Sequence, residues 1–411
     1  MNQLSPIKRT VVGVQFLFVA FGATVLVPLL TGIQPAVALF TAGIGTFLFH
    51  LITKGKVPVY LGSSFAFVAP IIACTAQYGL PATFSGLMAV GVVYAIFSAI
   101  IKINGLKIIE KLFPSVVVGP VIVLIGLSLA PAGINMIQVD PATNPGITVA
   151  ANWCIALSAL ATAVIITTAA KGMLKLIPIF CGIIVGYVVA IFFGYVDFTK
   201  ITEAAWFEMP KFVRPEFSWG AIVYMIPVAI APLIEHVGDM YAISAVAEKD
   251  FVKEPGLHRT LLGDGIATAL AGLFGGPPNT TYSEVTGAIS LTKVTDPGVL
   301  RITAGTAIIF AFCGKINGFL QSIPPAVLGG IMILLFGMIA SVGIKTLVDS
   351  KTDINMTRNQ VIISIVLCVG IGGAKFVWGD FTMAGIGLAS VVGVLLNLVL
   401  PKESKPVHIN K

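Results

Sequence analysis

A few ionisable residues stand inside otherwise apolar stretches, and their types and spacing could bind a ligand and exchange a proton. Glu235, His236 and Asp239 lie in IAPLIEHVGDMYAI, Asp264 lies in LLGDGIATAL, and Glu284 follows a break rich in Pro and Gly. Because Glu235 and Asp239 are four residues apart, a helix places both carboxyls on one face, whereas His236 points about 100° away. Buried carboxyls this close cannot all stay ionised, so we expect at least one to hold a proton at neutral pH.

Simpler structural roles remain open for three of these residues. Asp239 could serve only to orient the site through hydrogen bonds. Asp264 has glycine neighbours and is equally explained by helix packing, and His236 suits a structural hydrogen bond because it points off the acidic face. Glu235 and Glu284 are therefore the first candidates for chemistry.

The composition indicates a protein that lies in a membrane. Of 411 residues 57% are hydrophobic and 10% charged, whereas ordinary soluble domains have roughly 25% charged residues. The five cysteines fall in apolar segments without metal-ligand spacing, and we find no nucleophile-elbow, zinc-protease or P-loop motif. We therefore expect no enzyme and no cofactor other than a coupling proton.

Apolar runs long enough to cross a bilayer recur along the whole chain. They predict an all-α polytopic protein with fourteen transmembrane segments: 11–30, 35–53, 58–76, 84–101, 115–133, 153–169, 176–195, 220–247, 258–275, 281–293, 300–314, 324–341, 358–375 and 383–400.

The distribution of basic residues orients these segments. With the N-terminus in the cytoplasm, 20 of the 25 lysines and arginines fall in cytoplasmic connections, including Lys402, Lys405 and Lys411 near the C-terminus. Cytoplasmic loops carry such an excess. The pattern predicts fourteen spans with both termini inside, in a bacterial inner membrane.

Two sequence similarities indicate an internal repeat. PSVVVGPVIVLIGLSLA from Pro114 is similar to PPAVLGGIMILLFGMIA from Pro324, and GSSFA from Gly62 is similar to NTTYS from Asn279. Seven spans is an odd number, so a seven-plus-seven duplication places the two halves in opposite orientations, as in many secondary transporters.

Segments three and ten are predicted to be discontinuous. Their Pro, Gly, Ser and Thr residues disfavour a helix, and irregular backbone at membrane depth persists only beside protein or a polar cavity. We expect each to begin as a short extended stretch and continue as a half-helix, over 66–76 and 285–291. The two half-helix N-termini would then offer free N–H groups to a ligand. A simple packing kink is the alternative.

Four sequence blocks resemble the nucleobase–ascorbate transporter family, also called nucleobase:cation symporter family 2, and the resemblance runs from about Val11 to Leu400. These blocks are Phe21–Pro28, Tyr60–Phe67, Pro255–Arg259 and Pro278–Tyr282. The resemblance implies a core domain (1–111 and 218–316), a gate domain (112–197 and 317–401), proton symport of a nucleobase by alternating access, and a possible homodimer through the gate domains.

The resemblance also implies roles for individual residues. Glu235 and Glu284 match carboxyls that hydrogen-bond the base, and Phe65 and Tyr282 stand where backbone N–H groups and an aromatic side chain meet the ring. With Ser283 these form the expected substrate site, and Glu235, Asp239 and Glu284 are the candidates for proton coupling.

At two positions this chain differs from the uracil-transporting branch of the family, and both differences bear on the identity of the substrate. The uracil-transporting branch has His at the position of Asp239 and Gly at that of Ser283, and the purine branch has Asp at the first position. The purine branch, however, has Gln-Asn where this chain has Glu284-Val285, and two carboxyls suit the N–H donors of uracil. We expect uracil, with a xanthine or purine symporter as the alternative. An anion transporter of the same architecture is disfavoured because no Lys or Arg stands at the half-helix ends.

Overall fold

The structure is a computed structural model that describes residues 5–105, 107–138, 148–378 and 381–401. It is mostly helical, as predicted. Lys402, Lys405 and Lys411 lie outside the described residues.

The first half contains α-helices and one strand. They are α1 (Pro6–Thr31), α2 (Pro35–Ile52), β1 (Leu61–Ser63), α3 (Val68–Tyr78), α4 (Leu80–Asn104), α5 (Lys107–Leu112), α6 (Ser115–Ile137), α7 (Val149–Ala169) and α8 (Pro178–Phe192). Short 3-10 helices cover Phe65–Phe67 and Gly172–Leu176.

The second half begins with a short helix in the linker. Its elements are α9 (Thr199–Thr202), α10 (Trp219–Met225), α11 (Ile230–Ala247), α12 (Leu257–Leu273), β2 (Asn279–Thr281), α13 (Ser283–Thr292), α14 (Pro297–Ala311), α15 (Gly314–Ser322), α16 (Pro325–Asp349), α17 (Thr357–Ile371), β3 (Lys375–Trp378), β4 (Phe381–Ala384) and α18 (Gly385–Val399). A 3-10 turn over Ile226–Ala229 joins α10 to α11, and an irregular turn over Val252–Gly256, in which Glu254 has extended backbone, precedes α12.

Every predicted segment coincides with a helix or with a strand followed by a helix. Within the described residues, seven helices are long and apolar enough to cross a membrane: Pro6–Thr31, Pro35–Ile52, Leu80–Asn104, Ser115–Ile137, Val149–Ala169, the joined α10–α11 unit (Trp219–Ala247) and Pro325–Asp349. Shorter apolar helices account for several of the other segments. The number of bilayer crossings stays a prediction.

The connections predicted to be cytoplasmic lie together at one end of the helices. Arg9 forms an ion pair of 2.6 Å with Asp296, and Lys56 forms one with Glu254. Each pair joins a connection of the first half to one of the second half.

The connections predicted on the other side also contact one another. The backbone N–H of Lys211 donates to Gln34 Oε1 at 2.6 Å, and Lys200 Nζ donates to the carbonyl of Gln321 at 3.0 Å. In these contacts, loops that the basic residues assign to the same side of the membrane meet one another in the fold.

The helices pack in two sets, and each set draws on both halves of the chain. In one set α2 packs against α12 and α14, α4 against α12, and α1 against α14. In the other set α16 packs against α6 and α7, α7 against α8, and α17 against α6 and α18. The sets meet where α11 contacts α6 and α18, where α3 contacts α6, and where α10 contacts β4.

Sequence reasoning missed the hairpin formed by β3 and β4. The two strands pair antiparallel, with Lys375 opposite Ala384 and Trp378 opposite Phe381. The predicted segments 358–375 and 383–400 therefore run past the ends of α17 and α18 by a few residues.

Candidate functional site

Strands β1 and β2 form a buried antiparallel pair between the two halves of the chain. Leu61 lies opposite Thr281 and Ser63 lies opposite Asn279. The pair is extended by a hydrogen bond of 2.9 Å from the Ser64 N–H to the Pro278 carbonyl. Because both strands are fully buried, each supplies hydrogen-bond partners that the other lacks at this depth. The predicted extended stretches are present, and they bind each other.

Tyr282 holds the strand pair in place. Its hydroxyl donates to the Ser63 carbonyl at 2.9 Å and accepts from Thr24 Oγ1 at 3.3 Å. A Cβ at Gly62 would collide with the Tyr282 ring, so the ring requires a glycine opposite it. Tyr282 is 4% exposed, so its ring is buried in the contact between the two strands.

A half-helix follows each strand. The first begins with the 3-10 turn at Phe65 and continues as α3, and the second is α13, which starts at Ser283. They start and end within a few residues of the predicted 66–76 and 285–291. The first N–H groups of a helix have no intrahelical partner and carry the positive end of its dipole. Two such ends therefore lie beside the strand pair.

The carboxyl of Glu235 lies among other carboxyls. Glu235 is half-buried on α11 and interacts electrostatically with Asp239, Glu284 and Asp264. Glu284 is half-buried in the first turn of α13, where its carboxyl accepts its own backbone N–H. The two glutamates that are predicted to bind the ligand therefore belong to one cluster.

Asp239 links α11 to the second broken segment. It accepts hydrogen bonds from Thr281 Oγ1 at 2.8 Å and from Ser283 Oγ at 2.6 Å. Both hydroxyls belong to the junction of β2 and α13. The orienting role left open for Asp239 is therefore present in the geometry.

His236 and Asp264 form a buried pair behind the cluster. His236 Nδ1 lies 2.8 Å from Asp264 Oδ2, and His236 Nε2 lies 2.9 Å from Thr260 Oγ1. The side chains of His236 and Asp264 are 0% and 1% exposed. The sequence predicted a structural hydrogen bond for His236 but not its partner, because α11 and α12 come together only in the fold.

Phe65 stands between the two sets of helices. Its ring meets that of Phe336 on α16 edge to face, with centroids 5.8 Å apart. Ser283 is exposed on the opposite half-helix.

Among the described residues, no group of three or more His, Cys, Asp or Glu side chains is arranged to hold a metal ion.

Comparison with solved structures shows the fold. The transmembrane domain of the cyanobacterial bicarbonate transporter BicA aligns with a TM-score of 0.61 at 16% identity, covering 95% of this chain and 96% of that one. Murine Slc26a9, an anion transporter, aligns with a TM-score of 0.70 at 11% identity, covering 97% of this chain and 69% of that one.

Comparison of sequences shows the family. The uracil permease of Bacillus caldolyticus is 46% identical, covering 94% of this chain and 90% of its own. The uracil permease of Bacillus subtilis is 43% identical (98% and 94% covered), and that of Escherichia coli K12 is 38% identical (97% and 93% covered). The Permease family model Xan_ur_permease matches residues 7–377. The chain therefore belongs to the nucleobase–ascorbate transporter family and is a multi-pass membrane permease.

Proposed function

We propose that this protein is a uracil:proton symporter that works by alternating access. The observation that carries the proposal is the cluster of Glu235, Asp239 and Glu284 beside two half-helix N-termini. Relatives named uracil permease, 38–46% identical over nearly the full chain, supply the substrate class.

The site chemistry suits a small neutral ring with adjacent donors and acceptors. The carboxyls of Glu235 and Glu284 would accept the ring N–H groups. The backbone N–H groups at the starts of the 3-10 turn and α13, near Phe65, Tyr282 and Ser283, would donate to the ring carbonyls. The charged groups that interact with Glu235 are acidic, which argues against an anionic cargo.

We propose that the proton is the only coupling ion and that it resides on the carboxyl cluster. Three carboxyls in one site repel each other when all are ionised, so a proton taken up there lowers that repulsion. Glu235 and Glu284 would exchange it with uracil bound, and Asp239, which accepts hydrogen bonds from the Thr281 and Ser283 hydroxyls, would be the third carboxyl able to hold it.

We propose a core domain of residues 1–111 and 218–316 that moves against a gate domain of residues 112–197 and 317–401. The two packed sets of helices support this division. Phe65 and Phe336 meet at the boundary, so they would separate when the site opens to the other side.

The chain is proposed to lie in the bacterial inner membrane with both termini in the cytoplasm. The excess of Lys and Arg in one group of connections supports this orientation. A homodimer through the gate domains is proposed from the family resemblance.

Uptake of radiolabelled uracil into proteoliposomes tests the function. We expect accumulation that requires an inward proton gradient and that a protonophore abolishes. The Glu284→Gln variant should bind uracil at least about tenfold more weakly, because a neutral amide replaces the charged acceptor of the hydrogen bond. The exposed Glu203→Gln serves as the matched control. Uptake that is unchanged by the protonophore would contradict proton coupling. Unchanged uracil affinity in Glu284→Gln would show that Glu284 does not bind uracil.

A purine symporter remains the second candidate because Asp239 matches the purine branch. Competition of labelled uracil by xanthine, hypoxanthine and adenine separates the two. Efficient competition by xanthine, with weak competition by thymine, would favour the purine carrier.

A further inference from the structure

A cleft with basic, hydroxyl and amide side chains in its lining lies at one end of the helix set that contains α6, α16 and α17. It has a volume of about 730 Å³ and is open on one side. It is formed by α5, the first turns of α6 and α17, the turn after α16 and the last turn of α18. It belongs to the end of the molecule that we propose to be cytoplasmic.

Three basic side chains line this cleft. Lys107 and Lys111 extend from α5, and Arg358 lies in the first turn of α17. The described lining residues include no carboxylate. The guanidinium of Arg358 is fixed in place by hydrogen bonds to the carbonyl and Oδ1 of Asn397, at 2.7 and 2.9 Å. The cleft therefore concentrates positive charge, and the charge of Arg358 is held at a fixed position.

Two helices begin at the wall of the cleft. Pro114 and Ser115 start α6, and Met356 precedes α17; neither cap residue bonds its helix N–H groups with a side chain. Ser115 Oγ and Thr352 Oγ1, which lie 2.7 Å apart, add hydroxyl groups. Helix N-termini with nearby Lys, Arg and hydroxyl side chains are the groups that bind phosphate.

We propose that this cleft binds a phosphate group, carried either by the headgroup of an anionic lipid or by a free phosphate in the cytoplasm. Basic pockets between membrane helices on the cytoplasmic side bind acidic lipid headgroups in this way. The short helix α5 connects α4 of the proposed core domain to α6 of the proposed gate domain. A phosphate held by Lys107, Lys111 and Arg358 therefore fastens this connection to the gate helices and makes transport sensitive to the ligand.

Thermal unfolding of the purified full-length protein in detergent tests the proposal. Phosphatidylglycerol, phosphatidylethanolamine and inorganic phosphate are titrated separately at constant ionic strength. The test variant is Lys107→Gln/Lys111→Gln, and the control is Lys171→Gln/Lys175→Gln. The control removes two exposed lysines with the same spacing from another connection at the same end. Gel filtration checks that each variant is folded, and the single variant Lys107→Gln serves if the double variant aggregates.

We expect phosphatidylglycerol to raise the unfolding temperature saturably and phosphatidylethanolamine to have little effect. The midpoint should move to at least about tenfold higher lipid in Lys107→Gln/Lys111→Gln, since each surface lysine contributes about fivefold. It should stay near the parent value in the control. The same lysine-dependent protection by inorganic phosphate alone would identify the free anion as the source. Equal midpoints in all three proteins, or equal shifts in both double variants, would overturn the proposal.

Discussion

The pair of His236 and Asp264 shows that buried polar side chains in this protein are held by specific partners. Both side chains are inaccessible, and each has the other as a partner at 2.8 Å. Removing one partner of such a pair leaves an uncompensated group and costs about 3–5 kcal/mol. The pair lies behind the Glu235 cluster, so it positions α11 against α12 without touching the proposed ligand.

We predict that His236→Ala lowers the thermal unfolding temperature strongly and that a second change, Asp264→Asn, partly restores it. The second change removes the buried carboxyl that the first one leaves without its imidazole partner. Unfolding of the single and double variants, followed by fluorescence-detected gel filtration, measures the effect. A double variant less stable than His236→Ala would show that folding depends on the hydrogen bond that the Asp264 carboxyl accepts from the Thr281 backbone N–H.

At the scale of single residues, the sequence predicted which carboxyls cluster but not their partners. Glu235 and Asp239 are four apart on a helix, so their common face follows from helical geometry. The bonds from Thr281 and Ser283 to Asp239 join residues more than forty positions apart. No spacing within one helix encodes such a contact.

Among the elements, the β1–β2 pair depends on the absence of a side chain at position 62. Gly62 leaves the space that the Tyr282 ring occupies, and that ring closes a hydrogen bond to the Ser63 carbonyl. Both half-helices start from this pair, so its spacing sets the distance between their N-termini.

We predict that Gly62→Ala abolishes uracil binding and lowers the amount of folded protein. The new methyl group would meet the Tyr282 ring and push the strands apart. Gly305→Ala on α14 is the control, because a Cβ there meets only the edge of Phe47 at 4.0 Å. Uracil affinity and the yield of purified protein are measured for both variants. Normal uracil affinity in Gly62→Ala would mean that the Tyr282 ring can move aside with little loss of stability.

The elements were only partly predictable from sequence. Pro58, Gly62, Pro277 and Pro278 break helices locally, so both discontinuities could be predicted. That the two breaks pair with each other depends on how the halves pack. The β3–β4 hairpin was missed because Phe376, Val377 and Trp378 extend the apolar run of the preceding segment.

Considered as a whole, the described part of the molecule exposes one face of α13 beside its carboxyl cluster. Ser283, Gly287 and Leu291 recur every four residues along α13 and are exposed, Leu291 by 61%. Gly238 on α11 is exposed beside Asp239. On the other side of the strand pair, α3 contacts α6 and Phe65 meets Phe336. In the orientation proposed above, this exposed face would be reached from the cytoplasm.

We predict that a cysteine at position 287 reacts with a hydrophilic thiol reagent from the cytoplasmic side and that uracil slows the reaction. A Cβ at Gly287 meets no atom within 4 Å, so the substitution is tolerated. Gly305→Cys is the control, and the native cysteines are replaced by serine in both. Labelling in inside-out vesicles reports access, and equal rates with and without uracil at position 287 would place the ligand elsewhere.

The antiparallel strand pair also constrains how the chain is made. Leu61 pairs with Thr281, which the ribosome adds 220 residues later. At about 5–20 residues per second, β1 must wait roughly 10–45 s for its partner. During that time its backbone N–H and C=O groups need temporary partners at the insertion machinery. Release of the first half into lipid before β2 arrives would leave those groups unpaired, so we expect synthesis of the two halves as separate chains to succeed only when both are inserted together.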